Sequence, residues 1–363
     1  MNEIAQGVRE LAEHHLKPRA AEIDARGEFP HDVRELFRAH DVFATVAPPE
    51  YGGLDGSLLT LTLVCEQIAR CCANSGMLLG NQYLGAGPVL LFGSDEQKAE
   101  ILPRLASGEW LCSFALTEPD AGSDAAALRT RATRTDAGWR LNGRKCFITE
   151  ANVADVMTVF ARTEEGVTAF LVRGGWEVDK IEKKLGLRGS PTCSIVLDDV
   201  EVSRDAVVGR PGDGLKIALT SLNKGRIMTA SLALGIAQGA LEAAVAYARE
   251  RRQFGKPIAE HQAVAILLAD METDVQAARA LIGHAAREYD AGAAGIVKLS
   301  AATKLFATDM VNRVTNHAVQ VLGGYGYIED FPVERMLRDA RIFAIFEGTN
   351  QIQRIVIARE LTR

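Results

Sequence analysis

Trp110-Leu111-Cys112-Ser113-Phe114-Ala115-Leu116-Thr117-Glu118-Pro119 is where the chain changes period. Upstream the spacing is helical. Val8, Leu11, His15 and Leu16 recur three to four apart, and Pro30 opens a second short helix through Val33, Leu36 and Phe37. Leu58 to Arg70 and Asn74 to Phe92 read as two buried helices, and Asp95 caps another that runs to about Leu105. From Leu111 to Leu116 a short apolar run bounded by turn formers predicts a strand. Arg129 to Thr135 alternates, Asp136-Ala137-Gly138 turns it, and Trp139-Arg140-Leu141 meets Asn142-Gly143, a strong hairpin signal. Val156 to Phe160, Val167 to Val172 and Ser194 to Val202 read as further strands.

After Gly212-Asp213-Gly214 the helical period returns and persists. Leu219, Leu222, Leu234, Leu241 and Val245 mark one long helix; Val264, Leu267, Leu268, Met271 and Val275 a second; Leu305, Phe306, Val311, Val314 and Val321 a third. The expected fold class is α+β: an N-terminal α-helical domain over 1–109, a middle β-barrel-like domain over 110–209, and a C-terminal four-helix bundle over 210–363. An apolar face left over on such a bundle predicts an oligomer contact.

The hydrophobic fraction of 47% supplies a sizeable core and excludes a disordered chain. The net charge of −6, with both signs interspersed, argues against nucleic acid as a partner, because phosphate binding needs a concentrated basic face. No apolar run approaches the ~20 residues of a membrane span, and the polar stretch from Met1 to Lys17 does not read as a secretory signal. The six cysteines form no CxxC pair and no Cys/His cluster of zinc spacing, so they read as reduced thiols of a cytoplasmic protein without a metal site. No GxGxxG follows a strand, which argues against a nicotinamide site.

The chemistry points to Ile342-Phe343-Ala344-Ile345-Phe346-Glu347-Gly348-Thr349-Asn350-Gln351. Glu347 reads either as a surface loop acid or, if the apolar run packs inward, as a desolvated carboxylate whose pKa rises toward neutrality, which suits a general base. Gly348 lets a ligand approach the backbone. Asn350 with Gln353 reads as a capping box, and the free N–H groups of the helix it opens favour an anion. Three further stretches carry weaker signals. Gly122-Ser123, in the loop Leu116 to Asp124, could offer backbone N–H groups to a phosphate. Cys146-Phe147-Ile148-Thr149 ends a strand on an aromatic and a hydroxyl. Gln320-Val321-Leu322-Gly323-Gly324 is either a helix C-cap or a point of ligand approach. His261 reads as a capping or core histidine, Tyr325 and Tyr327 as packing residues.

Together these motifs resemble the acyl-CoA dehydrogenase family over nearly the whole chain. They are Leu116-Thr117-Glu118-Pro119 with Ala121 to Asp124; Phe147-Ile148-Thr149; Arg251-Arg252-Gln253-Phe254-Gly255-Lys256 with Glu260-His261-Gln262; Gln320 to Gly324; Pro332-Val333-Glu334-Arg335; Arg338-Asp339-Ala340; and Phe346-Glu347-Gly348-Thr349. The resemblance implies FAD-dependent α,β-dehydrogenation of an acyl thioester, with Glu347 as the base. It implies that Phe114, Leu116, Thr117, Gly122 and Ser123 line the flavin and its pyrophosphate, and that Phe147, Ile148 and Thr149 flank the ring. Arg251, Phe254, Gln320, Gly323 and Gly324 would hold the ADP portion of a neighbouring subunit's flavin in a homotetramer or homodimer, with Thr349 and Gln351 on the adenosine side. Asn223, Arg226, Ser123 and Gly348 would meet the substrate. An electron-transferring flavoprotein, or another acceptor, would take the electrons. Three positions depart from the pattern: Phe346 for a common tyrosine, Glu150-Ala151 for a common Asn-Gly, and Asn223 for a common acid. The last leaves acyl-CoA and acyl-ACP both open as substrates. An oxidase-like flavoenzyme, and a helical scaffold without catalysis, are the remaining alternatives.

Overall fold

The computed structural model describes residues 3–362. Its helices are α1 (Glu3–Leu11), α2 (Ala20–Arg26), α3 (His31–Ala39), α4 (Leu58–Cys71), α5 (Ala73–Phe92), α6 (Asp95–Ala106), α7 (Gly214–Glu250), α8 (Gln262–Asp290), α9 (Ile296–Leu322), α10 (Val333–Ala340) and α11 (Asn350–Leu361). Between α6 and α7 lie β1 (Cys112–Ala115), β2 (Arg131–Arg134), β3 (Gly138–Thr149), β4 (Val156–Thr163), β5 (Gly166–Val172), β6 (Trp176–Ile181), β7 (Thr192–Ser203) and β8 (Val207–Val208). A two-stranded ribbon, β9 (Arg252–Gln253) with β10 (Lys256–Pro257), follows α7.

The order helices, sheet, helices is the one read from the change of period. Local details differ. The cap of α6 is Ser94, in a full capping box with Gln97, one residue before the expected Asp95. Asn142-Gly143 is no hairpin turn. β3 runs straight through it, and the register against β7 slips there, from Leu141 opposite Val200 to Gly143 opposite Leu197. The extra residue lies in β7, where Asp198-Asp199 oppose Asn142 alone; Asp199 takes φ +49° and bonds across to Asn142, and a Cβ on Gly143 would meet Thr130 Oγ1 at 2.5 Å. The middle unit is one mixed sheet, in hydrogen-bonded order β6-β7-β3-β2-β4-β5-β8 with β1 added parallel to β4.

Helix α7 is the axis of the molecule, packing against α4, α5, α8, α9 and α10. By length and composition it could cross a membrane, a property the sequence reading had not found. Yet 83% of its most apolar window is buried within the fold, so its apolar surface is already covered by other helices. Asp290, ending α8, accepts from the N–H groups of Leu58 and Leu59 at 2.8 and 3.0 Å, so the C-terminal bundle caps an N-terminal helix. All six cysteines are free and buried.

Candidate active site

Phe343 is buried and meets Phe346 edge-on at 5.0 Å, and this pair turns the chain toward α7. Glu347 follows with φ of +56°, a left-handed conformation unfavourable by ~1–2 kcal/mol for a residue with a Cβ. Gly348 continues at φ +79°. The pair is held from behind, where Gln353 Nε2 donates to the carbonyls of Glu347 and Gly348 at 3.2 and 2.9 Å. The expected Asn350–Gln353 capping box is therefore not formed. Thr349 is the N-cap, its hydroxyl accepting from Ile352 N, while Asn350 is the first residue of α11 with its side chain buried. Gln353 is drawn to the two carbonyls because the left-handed turn aims them at it.

Glu347 Oε2 is buried and has no hydrogen-bond partner. It rests on Gly225 of α7, where a Cβ would lie 3.1 Å from it. Burial lifts the Glu347 pKa to about 7, against the opposing pull of the Arg226 and Lys304 charges. Arg226, on the same helix as Gly225, is also buried. Its Nη1 donates to Asn223 Oδ1 at 2.9 Å and its Nε has no partner. Burial lowers the Arg226 pKa, opposed by the Glu347 charge. Two buried groups of opposite charge thus each keep an unused hydrogen-bonding position. A buried charged group with an unused hydrogen-bonding position calls for an explanation, and a bound ligand is one.

The residues expected around a flavin fall on two surfaces. The first is where β1 and the end of β3 meet. Ser113 Oγ donates to the Thr149 carbonyl at 2.7 Å, and Cys146 N to the Thr117 carbonyl at 3.0 Å. A register slip between Lys145 and Ile148, with φ of +58° at Phe147, throws the Phe147 ring out of the sheet, leaving it 66% exposed. Thr117 and Thr149 are half-buried beside exposed Gly122 and Ser123. Phe114 is half-buried against Phe160, ring centroids 4.9 Å apart. Ile148 and Leu116 face the other way. Both side chains are buried in core clusters, so only their main chains are free to meet a ligand.

Glu118 holds this surface together. Its carboxylate accepts from the N–H groups of Arg129 and Thr130, and from Lys145 Nζ at 2.8 Å with Lys145 wholly buried. Burial pushes the Glu118 carboxyl up, but Lys145 and the two backbone donors outweigh it and hold the pKa below the usual carboxylate value.

The second surface is a cleft of about 510 Å³, lined among others by Arg251, Gly323, Gly324 and Tyr325. Arg251 lies 5.7 Å over the Tyr325 ring, and Gly323 is the C-cap of α9. Phe254, at the tip of the β9–β10 ribbon, is 94% exposed. Gln320 and Gln351 are exposed on α9 and α11. His261, at the N-cap of α8, donates from Nε2 to the Gln253 carbonyl at 3.1 Å and meets the Phe254 ring edge-on at 5.7 Å.

Sequence reasoning missed Gly225, Lys145 and Lys304. Lys304 had a legible signal, since it falls on the buried stripe Ala301, Lys304, Ala307, Val311 of α9, where a charge is out of place.

Comparison with known proteins agrees with this architecture. Three family models match in order: the acyl-CoA dehydrogenase N-terminal domain over residues 1–109, the middle domain over 113–200, and the C-terminal domain over 212–362. An acyl-CoA dehydrogenase of Bacillus subtilis is 42% identical over 98% of this chain and 96% of its own length. The structure of butyryl-CoA dehydrogenase from Megasphaera elsdenii superposes with a TM-score of 0.96 at 38% identity, covering 100% of this chain and 99% of that one. A structure described as PigA with FAD and proline superposes with a TM-score of 0.93 at 28% identity, covering 99% and 97%. The chain belongs to the acyl-CoA dehydrogenase family, and it is an oxidoreductase acting on CH–CH bonds.

Proposed function

We propose that this protein is an FAD-dependent dehydrogenase of acyl thioesters in which Glu347 removes the α-proton. The observation that carries the reading is the buried, unpartnered Glu347 Oε2, its carboxyl lifted to about 7 by burial within the field of buried Arg226, whose own Nε is unpartnered. A carboxyl in that state is ready to take a proton at neutral pH, because burial beside Gly225 and the apolar Leu84 leaves its charged form poorly solvated. The backbone N–H of Glu347 donates to the thioester carbonyl, where charge develops as the α-proton leaves. FAD, when bound, accepts the β-hydrogen as hydride, chemistry that no side chain supplies.

Phe114, Thr117, Gly122, Ser123, Phe147 and Thr149, with the main chains of Leu116 and Ile148, would hold the flavin. Arg251, Phe254, Gln320, Gly323 and Gly324 would hold the ADP end of a second subunit's flavin in a homotetramer or homodimer, with Thr349 and Gln351 on the adenosine side. Arginine suits that pyrophosphate because its planar fork donates two parallel bonds. Arg226, Asn223, Ser123 and Gly348 meet the substrate. An electron-transferring flavoprotein, or another acceptor, would take the electrons, and the cytoplasm is the expected compartment.

Anaerobic titration of the flavin absorbance with acyl-CoA and acyl-carrier thioesters tests the reading. Bleaching by at least one acyl thioester is expected; a flavin untouched by all of them defeats it. Carrier-bound substrates belong in the panel because Asn223 is neutral where the family commonly places an acid.

Two outcomes follow from the site. The rate at limiting substrate should rise with pH through about 7, as Glu347 loses its proton in the free enzyme; a profile flat from pH 5.5 to 8.5 would contradict this. Arg251→Ala should weaken flavin retention ~10-fold or more, the loss of a charge-assisted contact. Flavin-to-protein ratio after gel filtration checks it, and an unchanged ratio would remove Arg251 from the flavin site.

A further inference from the structure

Lys304 is a fully buried lysine that the proposed chemistry leaves unused. It projects from α9 and donates to the Gly348 carbonyl and to Asn350 Oδ1, each at 2.9 Å. Both acceptors are neutral. Thr308 Oγ1 lies 2.9 Å from the same Asn350 oxygen and 2.7 Å from the Lys304 carbonyl, sharing its one proton between them, and Asn350 Nδ2 donates to Asp309 at 2.7 Å. Asp309 is in turn paired with Arg354 at 2.9 Å, so its charge is already engaged.

Burying an ammonium is costly unless its charge is used. Hydrogen bonding alone does not require that charge here, because the neutral Gln353 amide already donates to the same Gly348 carbonyl. What a cation adds is attraction for an anion nearby, and Glu347 is the adjoining residue. The groups facing the Glu347 carboxyl are few. Helix α7 brings Arg226 and the bare Cα of Gly225, α5 brings the apolar Leu84 beside that glycine, and α9 brings Lys304 with Asp309 behind it, while neutral Gln353 of α11 holds the Glu347 backbone carbonyl instead.

We propose that Lys304 is the positioning residue of the base: its ammonium locks the left-handed Glu347–Gly348 turn through the Gly348 carbonyl and supplies the charge that favours ionised Glu347. The inference rests on Glu347 being the base. It explains how a strained pair of residues persists, since such conformations survive only where the surroundings over-determine them. Here three groups from two helices, Lys304, Gln353 and the Asn350 amide that Lys304 grips, converge on one turn. Burial also lowers the Lys304 pKa to about 8, so its positive charge is present at neutral pH and declines in the alkaline range.

The test is stopped-flow anaerobic bleaching of the flavin by an acyl thioester that bleaches the wild type, followed from pH 5.5 to 9. Lys304→Gln keeps a donor and removes the charge; Lys304→Arg keeps the charge. Lys304→Gln should bleach ~10- to 100-fold more slowly at pH 7, with the acid limb of the profile moved up by about one pH unit. Lys304→Arg should leave that limb within a few tenths of the wild type. Gln353→Leu, which deletes the neutral donor alone, should slow bleaching without moving the limb. A Lys304→Gln profile that overlays the wild type overturns the proposal, as does an equal shift in Gln353→Leu. If Lys304→Gln retains no flavin, Thr308→Val takes its place, loosening Asn350 and the ammonium it anchors. A partial upward shift there supports the proposal and none overturns it. A wild type that no thioester bleaches would instead defeat the reading of Glu347 as base.

Discussion

Glu347→Gln should retain its flavin and lose bleaching by acyl thioester ~10²- to 10⁴-fold, the range a general base contributes. The substitution is nearly isosteric, so the carbonyl contacts of Gln353 and the rest of the turn have no reason to move. What changes is the ability to accept a proton at the position where Oε2 is buried without a partner. The same variant carries a stability signature. The Glu347 pKa is raised on folding, so the fold favours the protonated carboxyl, and ionising it destabilises the protein. That destabilisation is absent at low pH and grows as pH rises from the ordinary carboxylate range through about 7. Glu347→Gln carries no such charge, so at pH 8 it should melt at or above the wild-type temperature. Full bleaching by the variant would remove Glu347 from its role. A melting temperature several degrees below wild type at pH 8 would show that the carboxylate is a structural partner.

Lys145→Ala should be the most damaging substitution outside the proposed base. Lys145 is wholly buried, Glu118 nearly so, and they meet at 2.8 Å. Breaking such a pair leaves an uncompensated buried charge, at a loss of about 3–5 kcal/mol. Replacing both partners by apolar residues would not restore stability here. Glu118 also accepts from the N–H groups of Arg129 and Thr130, and these would be left without partners. The loop that Glu118 anchors carries Thr117, Gly122 and Ser123, so flavin content should fall together with stability. Urea unfolding and flavin absorbance measure the two effects, and a loss under ~1 kcal/mol, typical of an exposed pair, would show the pair to be solvent-relaxed. Because the Glu118 pKa is depressed on folding, its stabilisation is complete above the ordinary carboxylate value and is lost as pH falls through the lower, folded value. Acid should therefore loosen this surface before it unfolds the helices.

Much of this protein was legible before any coordinates. The three-part order follows from apolar spacing, because a helix repeats every 3.6 residues and a strand every two, and the chain changes from one to the other near Trp110 and back near Gly214. That Glu347 could be desolvated was legible as well, from a lone acid at the end of Ile342 to Phe346, and burial does lift its pKa. Short-range signals failed where a distant partner competed. Asn142-Gly143 became strand interior opposite a bulge in β7 because Asp199 and Thr130, remote in sequence, close on it. Gln353 left the expected capping box for the carbonyls of a left-handed turn.

The sequence by itself determined which residues could form helices and strands, and which carboxylate had apolar company. Only the tertiary structure decided that Gly225, Arg226 and Lys304, on two helices far from residue 347, surround that carboxylate. Burial and unpartnered atoms are properties of space filled by several elements at once, so no local pattern in the chain encodes them.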